Sequence, residues 1–310
     1  MANTAGSNNS SNNDGIPIMF GEVLFDEFED GSSILGGAPF NVAWHLQGFG
    51  LNPLVITRIG QDKHGEQVLR TMQRWNMDTQ GVQQDAGHPT GRVTIRLDRG
   101  QPTFNILPEQ AYDFIEYEPA LTAFQAHSSA LLYHGSLIAR NSVSHSTLNS
   151  LRTHATLPVF VDVNLRNPWW KDDLIKSILH GAHWAKLNDD ELEKVAKFLH
   201  GPEQLVPAAQ AVRSHFNLEL LVVTLGAQGA YFITDGQTQF AKPVAVKNMM
   251  DTVGAGDAFS AVTIVGLIRN WPIELVQQRA MEFASAICEI RGATTENKLL
   301  YQQFMDKWGE

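Results

Sequence analysis

Cysteine is nearly missing from this chain. Cys288 is the sole thiol among 310 residues, so no intrachain disulfide can form, which fits a reducing compartment. Basic residues are also in deficit, with 23 Lys and Arg against 33 Asp and Glu and a net charge of −10. Nucleic acids and anionic membranes demand a basic footprint, so neither is expected as a partner. A nucleotide stays admissible, because backbone N–H groups and a divalent ion can hold one phosphate chain. No apolar run approaches the ~20 residues that a membrane span requires. Residues 1–15 are rich in Ser, Asn and Gly and lack the basic start and apolar core of a signal peptide. They read as a disordered tail before a single domain over residues 16–310, and a cytoplasmic location is expected. Two nucleotide motifs are missing as well. Without Gly-x-x-x-x-Gly-Lys-Ser/Thr the chain has no Walker P-loop, and no strand leads into Gly-x-Gly-x-x-Gly. His180 and His183 lack further ligands at a zinc spacing.

At 43% hydrophobic, the chain can bury one large α/β core. Short apolar runs alternate with amphipathic helical patterns. Ile16–Val23, Leu54–Ile59, Ala130–Tyr133, Val159–Val163, Trp184–Leu187 and Leu220–Thr224 read as strands, and the intervening helices imply a parallel sheet covered on both faces. Arg92–Leu97 alternates in the manner of a half-exposed strand. Ala230–Thr234 and Gln237–Val246, joined by Asp235-Gly236, read as an antiparallel hairpin. Pro39–Phe49 and Gly65–Trp75 read as helices. Ala258–Arg269 is apolar almost all round and should lie buried, as should the Cys288 thiol.

Two glycine turns carry the chemistry. Gly254-Ala255-Gly256-Asp257 precedes the apolar helix, where small residues allow a tight turn and free N–H groups form an anion hole. Asp257 then falls in the first helical turn, placed to accept a proton from an attacking hydroxyl. Taken alone, such a turn serves equally well as an ordinary helix cap. Gly36-Gly37-Ala38-Pro39-Phe40-Asn41 similarly suits close approach of a ligand to backbone, with Asn41 offering a donor and an acceptor to a polyol.

Gly36-Gly37-x-Pro39-x-Asn41-x-Ala43 resembles the first signature of the ribokinase (phosphofructokinase-B) family of carbohydrate kinases. Asp251-Thr252-x-Gly254-Ala255-Gly256-Asp257 resembles the second. The resemblance implies a three-layer α/β/α sandwich with a small β lid built from segments around residues 22–36 and 90–115. It also implies an ATP- and Mg²⁺-dependent kinase in which Asp257 is the base and Gly254, Ala255 and Gly256 form the anion hole. Asp26 matches the family's sugar-binding acid, and Gly36, Gly37 and Asn41 join it. Asp162-x-Asn164-x-Arg166 is similar to a stretch of fructokinases and 2-keto-3-deoxygluconate kinases, with Arg166 reaching the sugar or the transferring phosphate. Asn188-x-x-Glu191 resembles the motif in which Glu organises Mg²⁺ through water and Asn lies by the phosphates, although the same residues also read as a capping box. Thr224, Gly226 and Gly229 match the nucleotide-binding turn. Asp251 matches a monovalent-cation position, which leaves K⁺ as an open option.

Ala38 stands where ribokinases and sugar-phosphate kinases carry Lys, so an unphosphorylated sugar is expected, fructose first. Arg92 and Arg96 keep an acidic sugar such as 2-keto-3-deoxygluconate in view. Phe104 or Tyr112 is expected to close over the sugar. A nucleoside kinase, a catalytically silent sugar sensor and a homodimer through lid edges remain alternatives.

Overall fold

A computed structural model describes residues 15–98, 101–154 and 156–310, so most of the tail at residues 1–15 lies outside the described residues. Its strands in chain order are β1 (Ile16–Phe20), β2 (Leu24–Phe28), β3 (Ser33–Gly36), β4 (Leu54–Gly60), β5 (Val82–Asp85), β6 (Gly91–Asp98) and β7 (Gln101–Ile106). They continue as β8 (Ser129–His134), β9 (Val159–Asp162), β10 (Trp184–Asn188), β11 (Leu220–Thr224), β12 (Ala230–Thr234) and β13 (Gln237–Ala241). Nine of them form one sheet in the order β13-β12-β11-β10-β9-β8-β1-β4-β5. Every neighbouring pair is parallel except those made by β12, which runs antiparallel to both β11 and β13.

The period of the strands explains how this sheet is covered. Ile18, Phe20, Leu54, Ile56, Leu132, Val159 and Val161 belong to one core cluster. The alternate residues Met19, Val55, Leu131, Tyr133 and Phe160 belong to the other. Both faces of these inner strands are therefore buried, which is why their sequences are mainly apolar. The helix Ala255–Ile268 is buried without a break from Ala258 to Gly266 and packs between the helices Ala38–Gly48 and Ile273–Ile287. The expected sandwich with an enclosed apolar helix is the observed architecture.

β2, β3, β6 and β7 form a separate four-stranded sheet in the order β3-β2-β6-β7. The chain leaves the large sheet at Phe20, three residues before the strand expected over Ile16–Val23 ends, because Leu24 onward pairs with β3 and β6 instead. Along β6, Val93 and Ile95 are buried while Arg92 and Thr94 are half-exposed and Arg96 is exposed. The strand expected to run to Val246 stops at Ala241, since Pro243 has no N–H to continue a ladder.

Candidate active site

A cleft of about 690 Å³ opens at the carboxyl ends of β1, β9, β10 and β11, between the large sheet and the small one. The sheet order turns at β1, whose neighbours are β8 on one side and β4 on the other. Such a switch point, beyond the carboxyl ends of parallel strands, is where open α/β sheets bind ligands.

Gly254 caps the Asp257 helix with φ of +79°, a left-handed conformation that favours glycine. A Cβ there would also stand 2.4 Å from the Ala293 Cα. Of the three amides expected in the anion hole, that of Ala255 donates back to the Thr252 carbonyl at 3.3 Å. Those of Gly254, Gly256 and Asp257 have no acceptor among the described residues, and Gly254 and Gly256 line the cleft. The open amides therefore flank Ala255, whose own N–H serves the turn and is not free for an anion.

Asp257 Oδ2 accepts a hydrogen bond from Asn41 Nδ2 at 2.8 Å, which joins the two glycine turns across 216 residues. Its other oxygen has no hydrogen-bond partner among the described residues, and Asp257 lines the cleft. Removal from water pushes the carboxyl up to about 6, and Asp162 adds to the rise, while Asn41, Lys186 and Arg166 oppose it. Asp26, on β2, also lines the cleft, and its carboxyl is raised by desolvation against the pull of Arg166. Gly37 has φ of +108°, and a Cβ there would lie 2.6 Å from the Glu22 carbonyl oxygen. Gly36 sits behind the lining, close to Asp26 and Asn41. Arg166 is exposed in the cleft and forms no ion pair among the described residues.

Asn188 and Glu191 form the capping box: Asn188 Oδ1 accepts from Glu191 N at 2.8 Å, and Glu191 Oε2 accepts from Asn188 N at 2.9 Å. Glu191 Oε1 also accepts from Leu165 N at 2.7 Å, so one buried carboxyl holds both the Asn188 turn and the Arg166 loop. Each oxygen keeps a second lone pair, enough to accept from a metal-bound water. Thr224 lines the cleft, whereas Gly226 and Gly229 do not. Gly229 closes the β11–β12 turn by accepting from Leu225 N at 2.8 Å. Asp251 bonds Val253 N at 3.0 Å and Gly292 N at 3.1 Å, tying its loop to the segment that packs against Gly254. No cluster of three His, Cys, Asp or Glu suited to a metal exists among the described residues. Cys288 is buried and its thiol is pushed up, chiefly by desolvation.

The aromatic expectations divide. Phe104 on β7 is exposed and lines the cleft, whereas Tyr112 is fully buried in the core and cannot close over a ligand. Arg92 and Arg96 lie on the face of β6 opposite Val93, which is the β6 residue lining the cleft, so they do not line the site.

Three charged groups in the cleft were not anticipated as such. Lys186 and Asp162 line the cleft as a buried pair, Nζ to Oδ2 2.6 Å, and Glu22 lines it beside Gly37. A lysine between Ala185 and Leu187, inside an apolar central strand, is the signal that could have exposed the first pair.

A desolvated carboxylate beside unpaired amides at a helix start, above the carboxyl ends of a parallel sheet, defines a phosphotransferase acting on a small molecule. Residues 14–299 match the pfkB family carbohydrate kinase, and the chain belongs to that family: it is a sugar kinase. Fructokinase of Salmonella typhimurium is 31% identical over 245 residues, covering 76% of this chain and 77% of that protein. The structure of Vibrio cholerae O395 fructokinase, solved with fructose, ADP and calcium, is 24% identical with a TM-score of 0.77, covering 94% of this chain and 99% of that one. Fructokinase of Xylella fastidiosa, solved with ATP, is 19% identical with a TM-score of 0.83 over 96% and 100% of the two chains. The last two show that the fold is shared. No helix among the described residues is long and apolar enough to cross a membrane.

Proposed function

We propose that this kinase transfers the γ-phosphoryl group of ATP to a hydroxyl of an unphosphorylated sugar, fructose first, with Asp257 as general base. The observation that carries this reading is the continuity of one cleft. Asp26, Asn41, Asn188, Thr224 and Asp257 all line it, so a sugar at Asp26 and Asn41 and a phosphate chain at Asn188 and Thr224 would share one space with the base. At the sugar end the free Asp257 oxygen takes the hydroxyl proton as the oxygen attacks. Amides of Gly254 and Gly256, with Arg166, offset charge on the transferring group. The small sheet, with Phe104 at its cleft face, covers the sugar and limits water. Mg²⁺, when bound, neutralises phosphate charge, and Glu191 would hold it through water. Asn188 and Thr224 orient the phosphates.

Neutrality of the sugar follows from the cations available. Lys186 is committed to Asp162, so among the described residues lining the cleft Arg166 has no second free cation beside it to hold another phosphate. An ADP-release screen over fructose, other neutral ketoses, 2-keto-3-deoxygluconate, fructose 6-phosphate and adenosine tests the assignment. The highest kcat/KM is expected with a neutral ketose. A preference for adenosine or the phosphorylated sugar overturns it.

The base assignment also sets a pH profile. Only the carboxylate takes a proton, so kcat/KM is expected to rise through about pH 6 and then level. Asn41→Ala removes the donor that favours the ionised form, and the limb moves to higher pH. A limb that stays in place in Asn41→Ala separates that titration from Asp257.

A further inference from the structure

We infer that Glu22 is a sugar-contacting residue that sets the preference for neutral over anionic substrates. The inference rests on the sugar-kinase site proposed above and deepens it by assigning a carboxyl that the mechanism leaves unused.

Glu22 follows β1 at the point where the chain leaves the large sheet for the small one, and it lines the cleft with Asp26, Gly37, Asn41 and Asp257. Only 4% of the residue is exposed, and Oε2 has no hydrogen-bond partner among the described residues. A buried carboxyl oxygen without a partner carries a desolvation cost that a native site offsets with a ligand or water. Asn41 has the same property: it is 6% exposed, Nδ2 is spent on Asp257, and Oδ1 is unpartnered. Two buried, unsatisfied oxygens thus line one end of the cleft, beside the carboxyl of Asp26. Hydroxyls on adjacent sugar carbons are donors suited to such a set.

The surrounding charges decide which sugars fit. Arg166 and Arg140 attract the Glu22 carboxylate and Asp257 repels it. Arg140 is committed to Asp113 through Nε and a second nitrogen, both at 2.7 Å. Among the described residues lining the cleft, Arg166 is therefore the cation without an ion-pair partner, and it attracts Glu22, Asp26 and Asp257. A carboxylate or phosphate on the sugar would add a further negative charge to this end, and like charges brought together suppress the wrong ligand. Desolvation raises the Glu22 carboxyl to about 7, so near neutral pH it supplies both a donor and an acceptor population to a polyol.

Glu22→Ala and Glu22→Gln, with fructose, 2-keto-3-deoxygluconate and fructose 6-phosphate as probes, test the inference. Glu22→Ala is expected to raise the KM for fructose about 10–100-fold, with the KM for ATP within twofold of the parent. Glu22→Gln keeps a hydrogen-bonding oxygen without the charge. It is expected to hold the fructose KM within about fivefold while the kcat/KM ratio of neutral to anionic sugars falls about tenfold. A fructose KM unchanged in both variants overturns the inference, including when the melting temperature drops. Oε2 would then serve the fold through water shared with Tyr112 Oη and the free Arg140 nitrogen, which are also buried and unpartnered. Equal rises in both KM values overturn it too, since they report a deformed cleft. A parent chain that turns over no neutral sugar removes the proposed function and this inference together. A parent that turns over fructose, with variants indistinguishable from it, removes the Glu22 assignment alone.

Discussion

Asp257→Asn is expected to lower kcat by at least ~10²-fold while ATP binds within twofold of the parent affinity. The substitution is nearly isosteric, and an amide oxygen can still accept from Asn41 Nδ2, which in the parent lies 2.8 Å from Oδ2. The helix, the Gly254 cap and the open amides stay as they are. What disappears is the group able to take a proton, so the loss falls on kcat and not on nucleotide binding. The acid limb near pH 6 should vanish with it. A second, opposite effect follows from the same burial. Desolvation raises the folded-state carboxyl from its ordinary value to about 6, so its contribution to stability is complete below the unfolded value and is lost as pH rises through about 6. At pH 8 the folded enzyme therefore carries the cost of an ionised, desolvated Asp257, and Asp257→Asn should melt higher than the parent there. The difference should close on acidification below pH 4. Turnover within a few-fold of the parent would remove Asp257 from the base role, and an unchanged melting temperature at pH 8 would contradict the electrostatic description of the site.

The glycine turns were legible because their residue types admit few conformations. Gly254 at φ +79° and Gly37 at φ +108° occupy backbone that other residues adopt at a cost, and each abuts another segment too closely for a Cβ. The inner strands of the large sheet were legible because burial on both faces leaves a mainly apolar run, broken only at points such as Lys186. Direction was harder to read. The alternation in Arg92–Leu97 identified a half-exposed strand, yet nothing local tells which of its faces meets the cleft, and the arginines turn out to be on the far one. Tyr112 illustrates the same limit: an aromatic shortly after an edge strand suits a cover or a core, and tertiary packing alone selected the core. Ala255 is a finer case. Its place in the turn could be anticipated, but only the backbone geometry shows its amide turned back onto Thr252. Glu191 joins two readings that the sequence left side by side. Its carboxyl completes the cap at Asn188 and, by bonding Leu165 N, places Arg166 at the cleft. A local helix signal thereby becomes a tertiary one.

Lys186→Met is expected to destabilise the fold by about 3–5 kcal/mol, the usual cost of removing one partner from a buried ion pair. Lys186 Nζ lies 2.6 Å from Asp162 Oδ2, and the two side chains are 9% and 2% exposed. Ser260 Oγ at 2.8 Å and Tyr133 Oη at 3.3 Å donate to the same oxygen, but neither hydroxyl supplies a charge. Methionine fills the space of the aliphatic stem, so the loss is electrostatic and not a cavity. Urea unfolding at pH 8 should show the midpoint falling at nearly constant slope. Asp162→Asn added to Lys186→Met removes the stranded carboxylate while its side-chain oxygen still accepts from Ser260 and Tyr133, so most of the loss should be recovered. The same cycle reports on the active site. Lys186 lowers the Asp257 carboxyl and Asp162 raises it, which makes the pair a balanced dipole beneath the anion hole. A methyl built on Gly256 would stand 3.7 Å from Nζ. Lys186→Met should therefore move the acid limb of kcat/KM above pH 6, and the double variant should bring it back toward its original place. Restored stability without a restored limb would mean that Lys186 acts directly on the transferring phosphate. Restoration of both would mean that the pair works by setting the proton affinity of Asp257.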